Sequence, residues 1–227
     1  MCGRYTLSSP DASIAELLDL SVAPSLAPRY NIAPSQLVAV LRTPPAREVR
    51  ELELLRWGLV PGWAKDAAIG NRLINARCET AAEKPSFRTA LRRRRCLVVA
   101  DGFYEWRKLD RRRQPCHIRM VDGRPFTFAG LWEHWQSPDG EPVESCTILT
   151  TAANELLAPI HERMPVILAP GDHALWLDPA VTDAARVQPL LRPYSPTELV
   201  AQPVSTHVNS PRNDDPRCIE PLAADEA

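Results

Sequence analysis

No apolar run in this 227-residue sequence approaches the length that a membrane-spanning helix needs. The first residues also lack the basic region, apolar core and cleavage site of a secretory signal, so we expect a soluble, cytoplasmic protein with no membrane partner. The six cysteines are scattered, with no Cys-x-x-Cys and no paired histidine spacing. This pattern argues against a disulfide framework and against a zinc site, and we expect neither a metal nor a cofactor.

Internal repeats and low-complexity tracts are also missing, and the composition of 44% hydrophobic and 24% charged residues is typical of a globular protein. The length favours one domain, which we place at residues 1–221, followed by a polar tail at residues 222–227 that should fray. Short apolar runs separated by turns, such as residues 37–41 and 97–100, predict many short strands and few helices. The sequence therefore indicates an α+β fold.

Three short helices are expected, two of them from capping residues. Ser9 precedes Pro10 and should cap a short helix, residues 85–94 are expected to form a second helix, and Asn154 should cap a third. Residues 57–63 carry two tryptophans around glycine and proline, which predicts a shaped loop rather than a regular element.

The charges are segregated along the chain. Residues 1–125 carry 22 Lys and Arg against 13 Asp and Glu, and the remainder carries 5 against 15, so +9 and −10 give the net charge of −1. The densest basic runs lie at residues 92–95 and 107–113. Runs of this kind most often form a solvated helix face or a hairpin tip, but so basic a half is also what a phosphate-binding face needs.

The second residue is a cysteine, which is small enough for the initiator methionine to be removed. Cys2 would then carry an α-amine and a thiol on adjacent carbons. The amine has a pKa near 8 and the thiol a pKa of about 8.5, so both are nucleophilic at physiological pH. Such a pair attacks an aldehyde in two steps, giving first a Schiff base and then a thiazolidine ring. The alternative is that Cys2 is an ordinary thiol at a permissive position.

Three further residues are candidates for the site, and each also has an ordinary structural alternative. Trp63 either fills the core or faces a ligand. Glu105 stands among aromatic residues, where a carboxylate usually lies on the wet face of a strand; if buried, it would have a raised pKa and could act as a base. His161 lies between the predicted end of a helix and a short strand. It is either an ordinary surface histidine or an acid-base group that is fixed in position and accessible to a substrate.

Seven segments, taken in order, resemble the SRAP family, the SOS response-associated peptidase-like proteins that shield abasic sites in single-stranded DNA. They span nearly the whole chain: MCGRY at residues 1–5, RYNIAP at 29–34, WGLVPGW at 57–63, INARCET at 74–80, ADGFYEW at 100–106, IHERMP at 160–165, and the closing segment at 204–221. The resemblance implies a single compact domain whose antiparallel sheets form a barrel-like core with peripheral short helices. It also implies a monomer that binds single-stranded DNA containing abasic sites.

The resemblance assigns roles to individual residues. Cys2 would be the bifunctional nucleophile that captures the deoxyribose aldehyde in a thiazolidine DNA-protein crosslink. Asn75 would orient the amine and the sugar, Glu105 would act as base, and His161 would assist ring opening and proton transfer. This is lyase-like Schiff-base chemistry.

The resemblance also implies a DNA-binding surface. Arg4 and Arg77 would hold flanking phosphates, with Thr150 as a further contact, and Pro34 and Trp63 would form an apolar surface for the bases.

Two other interpretations stay open. A thiol peptidase could use Cys2 and His161 together with Glu105 or Asn75, since a Cys-His pair also generates a thiolate, and removal of Met1 could be autocatalytic. A DNA-binding module without chemistry would need none of these nucleophiles. Blocking the α-amine separates the three, because only the crosslinking reaction requires it.

Overall fold

The computed structural model describes residues 2–44, 49–110, 112–137 and 140–222, so the predicted tail lies outside the described residues except for residue 222. The strands within these ranges are β1 (Tyr5–Leu7), β2 (Arg29–Ile32), β3 (Leu37–Arg42), β4 (Glu51–Trp57), β5 (Asn75–Arg77), β6 (Arg95–Ala100), β7 (Gly102–Lys108), β8 (Arg113–Met120), β9 (Phe126–Gln136), β10 (Pro142–Ala152), β11 (Arg163–Pro165), β12 (Ile167–Leu168) and β13 (Leu199–Pro203). The helices are α1 (Asp11–Leu18), α2 (Cys78–Ala81), α3 (Arg88–Arg93), α4 (His173–Leu177) and α5 (Ala184–Val187). None of the helices in these ranges combines the length and apolarity that crossing a bilayer requires.

Five strands close into a barrel. The order β4-β3-β6-β9-β10 returns to β4 because β10 pairs with β9 along one edge and with β4 along the other. The strands β3, β6 and β9 read as apolar runs in the sequence because nearly all of their residues are buried. The α+β, barrel-like architecture is therefore confirmed, but β10 pairs in parallel with β4 and with β5, where antiparallel pairing was expected throughout.

A second sheet lies beside the barrel, with the strand order β13-β8-β7-β1-β2. An aromatic cluster joins it to the barrel: Tyr5 contacts Trp57 and Phe128 edge to face, with ring centroids 5.3 and 5.8 Å apart. Trp57 is completely buried and donates from its indole nitrogen to the carbonyl oxygen of Ile74 at 2.9 Å. Burial of one large apolar side chain stabilises a fold by about 1.5–3 kcal/mol. This cluster therefore fixes the start of the chain against the barrel.

One predicted capping residue, Ser9, and the helix predicted after Asn154 were wrong. The residue at the start of α1 is Pro10, with no side-chain cap, because the Ser9 hydroxyl bonds the Asp101 carboxylate at 3.0 Å instead. Asn154 does accept from the main-chain nitrogen of Leu157 at 3.0 Å, but the segment that follows is a set of turns rather than a helix.

The helix expected at residues 85–94 is also shorter than predicted. It is reduced to the six residues of α3, because the residues before it form turns. Local hydrogen bonding and turn formation thus compete with helix formation at each of these three places.

Candidate active site

The second half of β10 aligns two elements of the site. Thr150 is in register with Arg77 of β5 on one edge and with Pro165 of β11 on the other. Asn75 is the first residue of β5, and His161 stands just before β11. One strand therefore holds side by side two motifs that lie far apart in the sequence.

The second sheet supplies the other two residues. Tyr5 in β1 is in register with Phe103 in β7, and the Tyr104 N–H donates to Arg4 O at 3.0 Å. Continued one strand position at a time, this antiparallel register puts Glu105 opposite position 3, next to Cys2. Asn75 closes the arrangement, because its Nδ2 donates to the carbonyl oxygen of Cys2 at 2.7 Å.

Glu105 is buried, with 3% of its surface exposed. The alternative that its carboxylate lies on the solvent-facing side of the strand is therefore wrong. Burial raises the pKa of its carboxyl group, and nearby positive charge acts in the opposite direction. The carboxyl group is therefore harder to ionise than a solvated glutamate, and its electrostatic interaction with the His161 side chain places the two groups near each other.

His161 is half-buried and held by its own backbone turn. Its Nδ1 lies 3.0 Å from the main-chain nitrogen of Arg163 and 3.3 Å from the carbonyl oxygen of the same residue. Because the N–H can only donate and lies closer, Nδ1 acts as the acceptor, and the neutral ring carries its proton on Nε2. In this tautomer Nε2–H is the hydrogen-bond donor of the ring.

Cys2 is completely buried, and its thiol lies 3.8 Å from the carbonyl oxygen of Arg4. Burial raises the pKa of the thiol strongly, and the negative charge of Glu105 raises it further. In the chain that still carries Met1, the sulfur is therefore protonated at neutral pH. The site does not generate a thiolate in advance.

The side-chain oxygen of Asn75 is available as a hydrogen-bond acceptor. Its Oδ1 is buried and makes no hydrogen bond to any residue that the structure describes. A buried amide oxygen without a donor is costly, typically by about 1–3 kcal/mol, so it marks a place where a further donor fits. An α-amine at Cys2, whose carbonyl oxygen the same side chain already holds, is such a donor.

The two predicted phosphate-binding arginines differ in their surroundings. Arg4 is half-buried and donates to Asn31 Oδ1 at 2.9 Å, to Val208 O at 3.0 Å and to Asn209 O at 3.3 Å. Burial lowers its pKa. Arg77 is exposed at the residue preceding α2. Arg4 is thus tied into the fold, whereas Arg77 is open to a ligand.

Thr150, the third predicted phosphate contact, is completely buried. Its hydroxyl lies 3.5 Å from Ala76 O and its carbonyl oxygen accepts from Arg163 Nη2 at 2.7 Å. The side chain therefore presents no surface to a phosphate in this structure. Its place between β5 and β11 gives it a role in aligning them instead.

Arg163 was given no role from the sequence, although it lies in one of the seven matching segments. Its guanidinium makes a two-pronged ion pair with Glu79 at 2.6 and 2.8 Å, and its main chain holds His161. The ion pair raises the pKa of Arg163 and lowers that of Glu79. The signal that could have identified it is its position two residues after the candidate histidine.

The two residues predicted to form an apolar surface lie in separate turns. Trp63 is 59% exposed, so it does not fill the core, and its turn is held by a hydrogen bond from Trp135 Nε1 to Ala64 O at 2.7 Å. Pro34 is partly buried in the turn between β2 and β3, and the next residue, Ser35, donates to Trp57 O at 2.7 Å. The turn that carries Pro34 is therefore hydrogen-bonded to Trp57, the last residue of β4. The chain runs on from β4 into the turn that carries Trp63.

Three potential metal ligands meet in the closing segment, which the cysteine spacing did not predict. The ligand atoms of His207, Asp215 and Cys218 lie within 4.8 Å of one another. They are committed to the fold, however: Asp215 pairs with Arg217 at 2.8 Å and bonds His207 at 3.1 Å, and Cys218 donates to a main-chain carbonyl oxygen. The cluster serves to fix this segment.

Comparison with known proteins shows the family and supports the fold. Residues 1–211 match the family described as SOS response associated peptidase (SRAP). The abasic site processing protein YoqW of Bacillus subtilis (strain 168) is 45% identical over 224 residues, which cover 97% of this chain and 99% of that relative. The abasic site processing protein HMCES of Gallus gallus is 37% identical over 76% of this chain and 58% of its own length. A solved structure from Bacteroides thetaiotaomicron superimposes with a TM-score of 0.85 at 26% identity, covering 98% of this chain and all of that one.

Proposed function

This chain belongs to the SRAP family, and we propose that it processes abasic sites in DNA through the aminothiol of Cys2. In this proposal it shields the lesion in single-stranded DNA by forming a covalent thiazolidine crosslink with the ring-opened deoxyribose. The observation that carries the proposal is the hydrogen bond from Asn75 to Cys2 together with the electrostatic contact of Glu105 with both Cys2 and His161. The names of the relatives support the DNA lesion as substrate.

The reaction begins once hydrolysis of the peptide bond after Met1 has freed the α-amine of Cys2. The amine adds to the C1′ aldehyde and water leaves, which forms a C=N bond. The thiol then adds to the imine carbon, so a C–S bond forms and the thiol proton ends on the ring nitrogen. No oxidant, reductant or metal is consumed in these steps.

The three surrounding side chains have complementary tasks in this scheme. In its protonated form, His161 assists opening of the sugar ring by giving a proton to the ring oxygen and becoming a neutral imidazole. Glu105, with its raised pKa, accepts and returns the protons of the amine and thiol. Asn75 holds the Cys2 main chain and offers its Oδ1 to the amine.

The state of the thiol favours this reaction over the peptidase alternative. A thiol peptidase needs a cysteine whose pKa is lowered, usually by a neighbouring positive charge. Here both burial and the Glu105 carboxylate raise the pKa of Cys2. An amine that attacks first, followed by a thiol that loses its proton only during ring closure, suits this environment better.

The DNA would be held by charge and by stacking. Arg77 and the outer edge of Arg4 would contact phosphates, and the exposed ring of Trp63 with Pro34 would support unpaired bases. Such contacts are independent of base sequence, as a protein that must act at any abasic site requires. We propose that the protein acts as a monomer.

The proposal is tested by incubating the purified protein with single-stranded DNA that carries one abasic site and with the intact strand of the same sequence. We expect an adduct that survives heat and denaturant on the abasic strand alone. Protein with a residue added before Cys2 retains the thiol but not the aminothiol, so its stable adduct should disappear. Equal adduct yields on the two strands would overturn the aldehyde chemistry.

A further inference from the structure

The four arginines at residues 92–95 are not one basic patch. Arg95 is buried, and its guanidinium donates to four main-chain carbonyl oxygens. Arg94 pairs with Glu133 at 2.7 Å. These two residues serve the fold, which leaves Arg92 and Arg93 exposed at the end of α3.

Arg92 and Arg93 line a cleft together with Arg88, Thr89 and Thr182, and its volume is about 310 Å³. Within the described parts of the chain, none of the three guanidinium groups makes a hydrogen bond or an ion pair. The residue that follows Thr182 is Asp183, but its carboxylate is taken up by the first turn of α5, where it accepts from Ala185 N at 3.0 Å. The cleft therefore collects three positive charges and two hydroxyl groups without an internal counter-charge.

The stability of α3 does not account for all three arginines. Arg92 and Arg93 lie in the last turn, where a positive charge is favourable. Arg88 opens the same helix, where a positive charge is unfavourable, and it stands four residues before Arg92, so the two like charges repel. A sequence that keeps Arg88 at this local cost is consistent with an anionic partner outside the chain.

The position of the cleft relates it to the site. Arg77 immediately precedes α2, which packs on β5 and β10, and α3 packs on β6 and β9. The strands β10, β9 and β6 are consecutive in the barrel. The two helices therefore pack on neighbouring strands of the barrel, one at Arg77 and the other at the cleft.

We propose that Arg88, Arg92 and Arg93 form a second phosphate-binding surface that holds the DNA strand beyond the nucleotides at the active site. Guanidinium groups match phosphate oxygens with two parallel hydrogen bonds, and the hydroxyls of Thr89 and Thr182 add neutral donors. This inference rests on the proposed function for the identity of the strand. It extends the contacted length of DNA without adding base specificity.

The test uses single-stranded DNA with a tetrahydrofuran abasic analogue, which has no aldehyde, so that binding is measured without crosslinking. The variant carries Arg88→Gln, Arg92→Gln and Arg93→Gln. Each phosphate contact on a single strand contributes about 0.7 to the slope of log affinity against log salt, so the loss of three should make the slope shallower by about two. On an oligonucleotide that covers only the abasic nucleotide and its neighbours, the wild-type and variant slopes should coincide.

Two further variants separate the inference from general effects. Replacing Lys108, Arg112 and Arg113 by Gln at the β7–β8 turn removes the same charge from another exposed place, and the slope should not change. Replacing the three α3 arginines by Lys keeps the charge, and most of the slope should remain.

The outcomes are distinct. An unchanged slope in the α3 Gln variant, an equal loss in the β7–β8 variant, or an equal loss in the Lys variant would each overturn the inference. Failure of the wild-type protein to crosslink true abasic DNA would refute the proposed function instead, and the binding measurement would still stand by itself.

Discussion

The substitution Glu105→Gln should slow the crosslinking reaction and, at neutral pH, raise the free energy of unfolding. Gln keeps the shape of the side chain and removes its charge. Glu105 is 3% exposed, and burial raises its pKa, so the ionised form is held in the fold at a cost. Each unit by which a pKa is raised corresponds to about 1.4 kcal/mol of unfolding free energy at pH values above it.

The pH dependence has a definite sign. The folded-state pKa of Glu105 lies above the unfolded value of about 4.3, so its contribution to stability is complete below the unfolded value and is lost as pH rises through the folded value. The gain from Gln should therefore be present at about pH 7.5 and absent below about pH 4. Urea unfolding of both proteins at the two pH values measures it.

The rate of crosslinking should change in the opposite direction. Loss of a general base typically slows a reaction by about a hundredfold or more. The substitution also removes one of the two causes that raise the pKa of the Cys2 thiol, so more thiolate forms in the variant. A thiolate mechanism would then run faster, whereas a mechanism that uses the Glu105 carboxylate as base runs slower.

The assay is the single-turnover rate of adduct formation on abasic single-stranded DNA, followed on denaturing gels. Glu155→Gln is the matched control, because Glu155 is exposed and its substitution should change stability by no more than about 0.5 kcal/mol. A Glu105→Gln protein that reacts as fast as wild type, or that is less stable at pH 7.5, would refute the role given to this carboxylate.

Five other substitutions probe the remaining parts of the site and the fold around it. Cys2→Ala, with Met1 removed, should give only a Schiff base that borohydride traps on the gel, since the ring cannot close. Gly102→Ala should destabilise the fold by about 1–3 kcal/mol in urea unfolding, because its Cβ would overlap the imidazole ring of His117. Trp63→Ala should leave unfolding nearly unchanged but weaken binding of single-stranded DNA by about 1–3 kcal/mol, measured by fluorescence anisotropy. Arg4→Ala should lower both the melting temperature and DNA binding, whereas Arg77→Ala should lower binding alone.

Most strands could be predicted from the sequence because each buried strand is a short run of apolar residues. Residues 37–41 and 97–100 are apolar at consecutive positions, and both lie in barrel strands with buried faces. The partners of a strand are not encoded locally in this way. Nothing near residues 142–152 indicates that β10 pairs in parallel with β4 and β5 and so closes the barrel.

The site shows the same division. Its residues could be identified from motifs, but their environments could not. Glu105 follows the alternation of an ordinary strand, and only the pairing of β7 with β1 buries it beside Cys2. Asn31 makes contacts with residues far away in the sequence. Its side-chain amide donates to the carbonyl oxygens of residues 208, 210 and 213, and these bonds exist only when both ends of the chain have folded.

The burial of Cys2 has a consequence for selectivity. A free aminothiol at a chain terminus reacts with small aldehydes and with oxidants. The reactivity of its sulfur increases when the thiol is ionised and exposed to solvent. Cys2 is completely buried, and in the chain that carries Met1 its thiol has a raised pKa, so the sulfur is a poor nucleophile in that state. The side chains proposed to assist imine formation come from β5, from β7 and from the segment before β11, and are brought together by tertiary pairing alone. Under the proposed function, the folded site favours a sugar aldehyde held by its flanking phosphates over aldehydes that cannot make those contacts, because only the former stays long enough for both bonds to form.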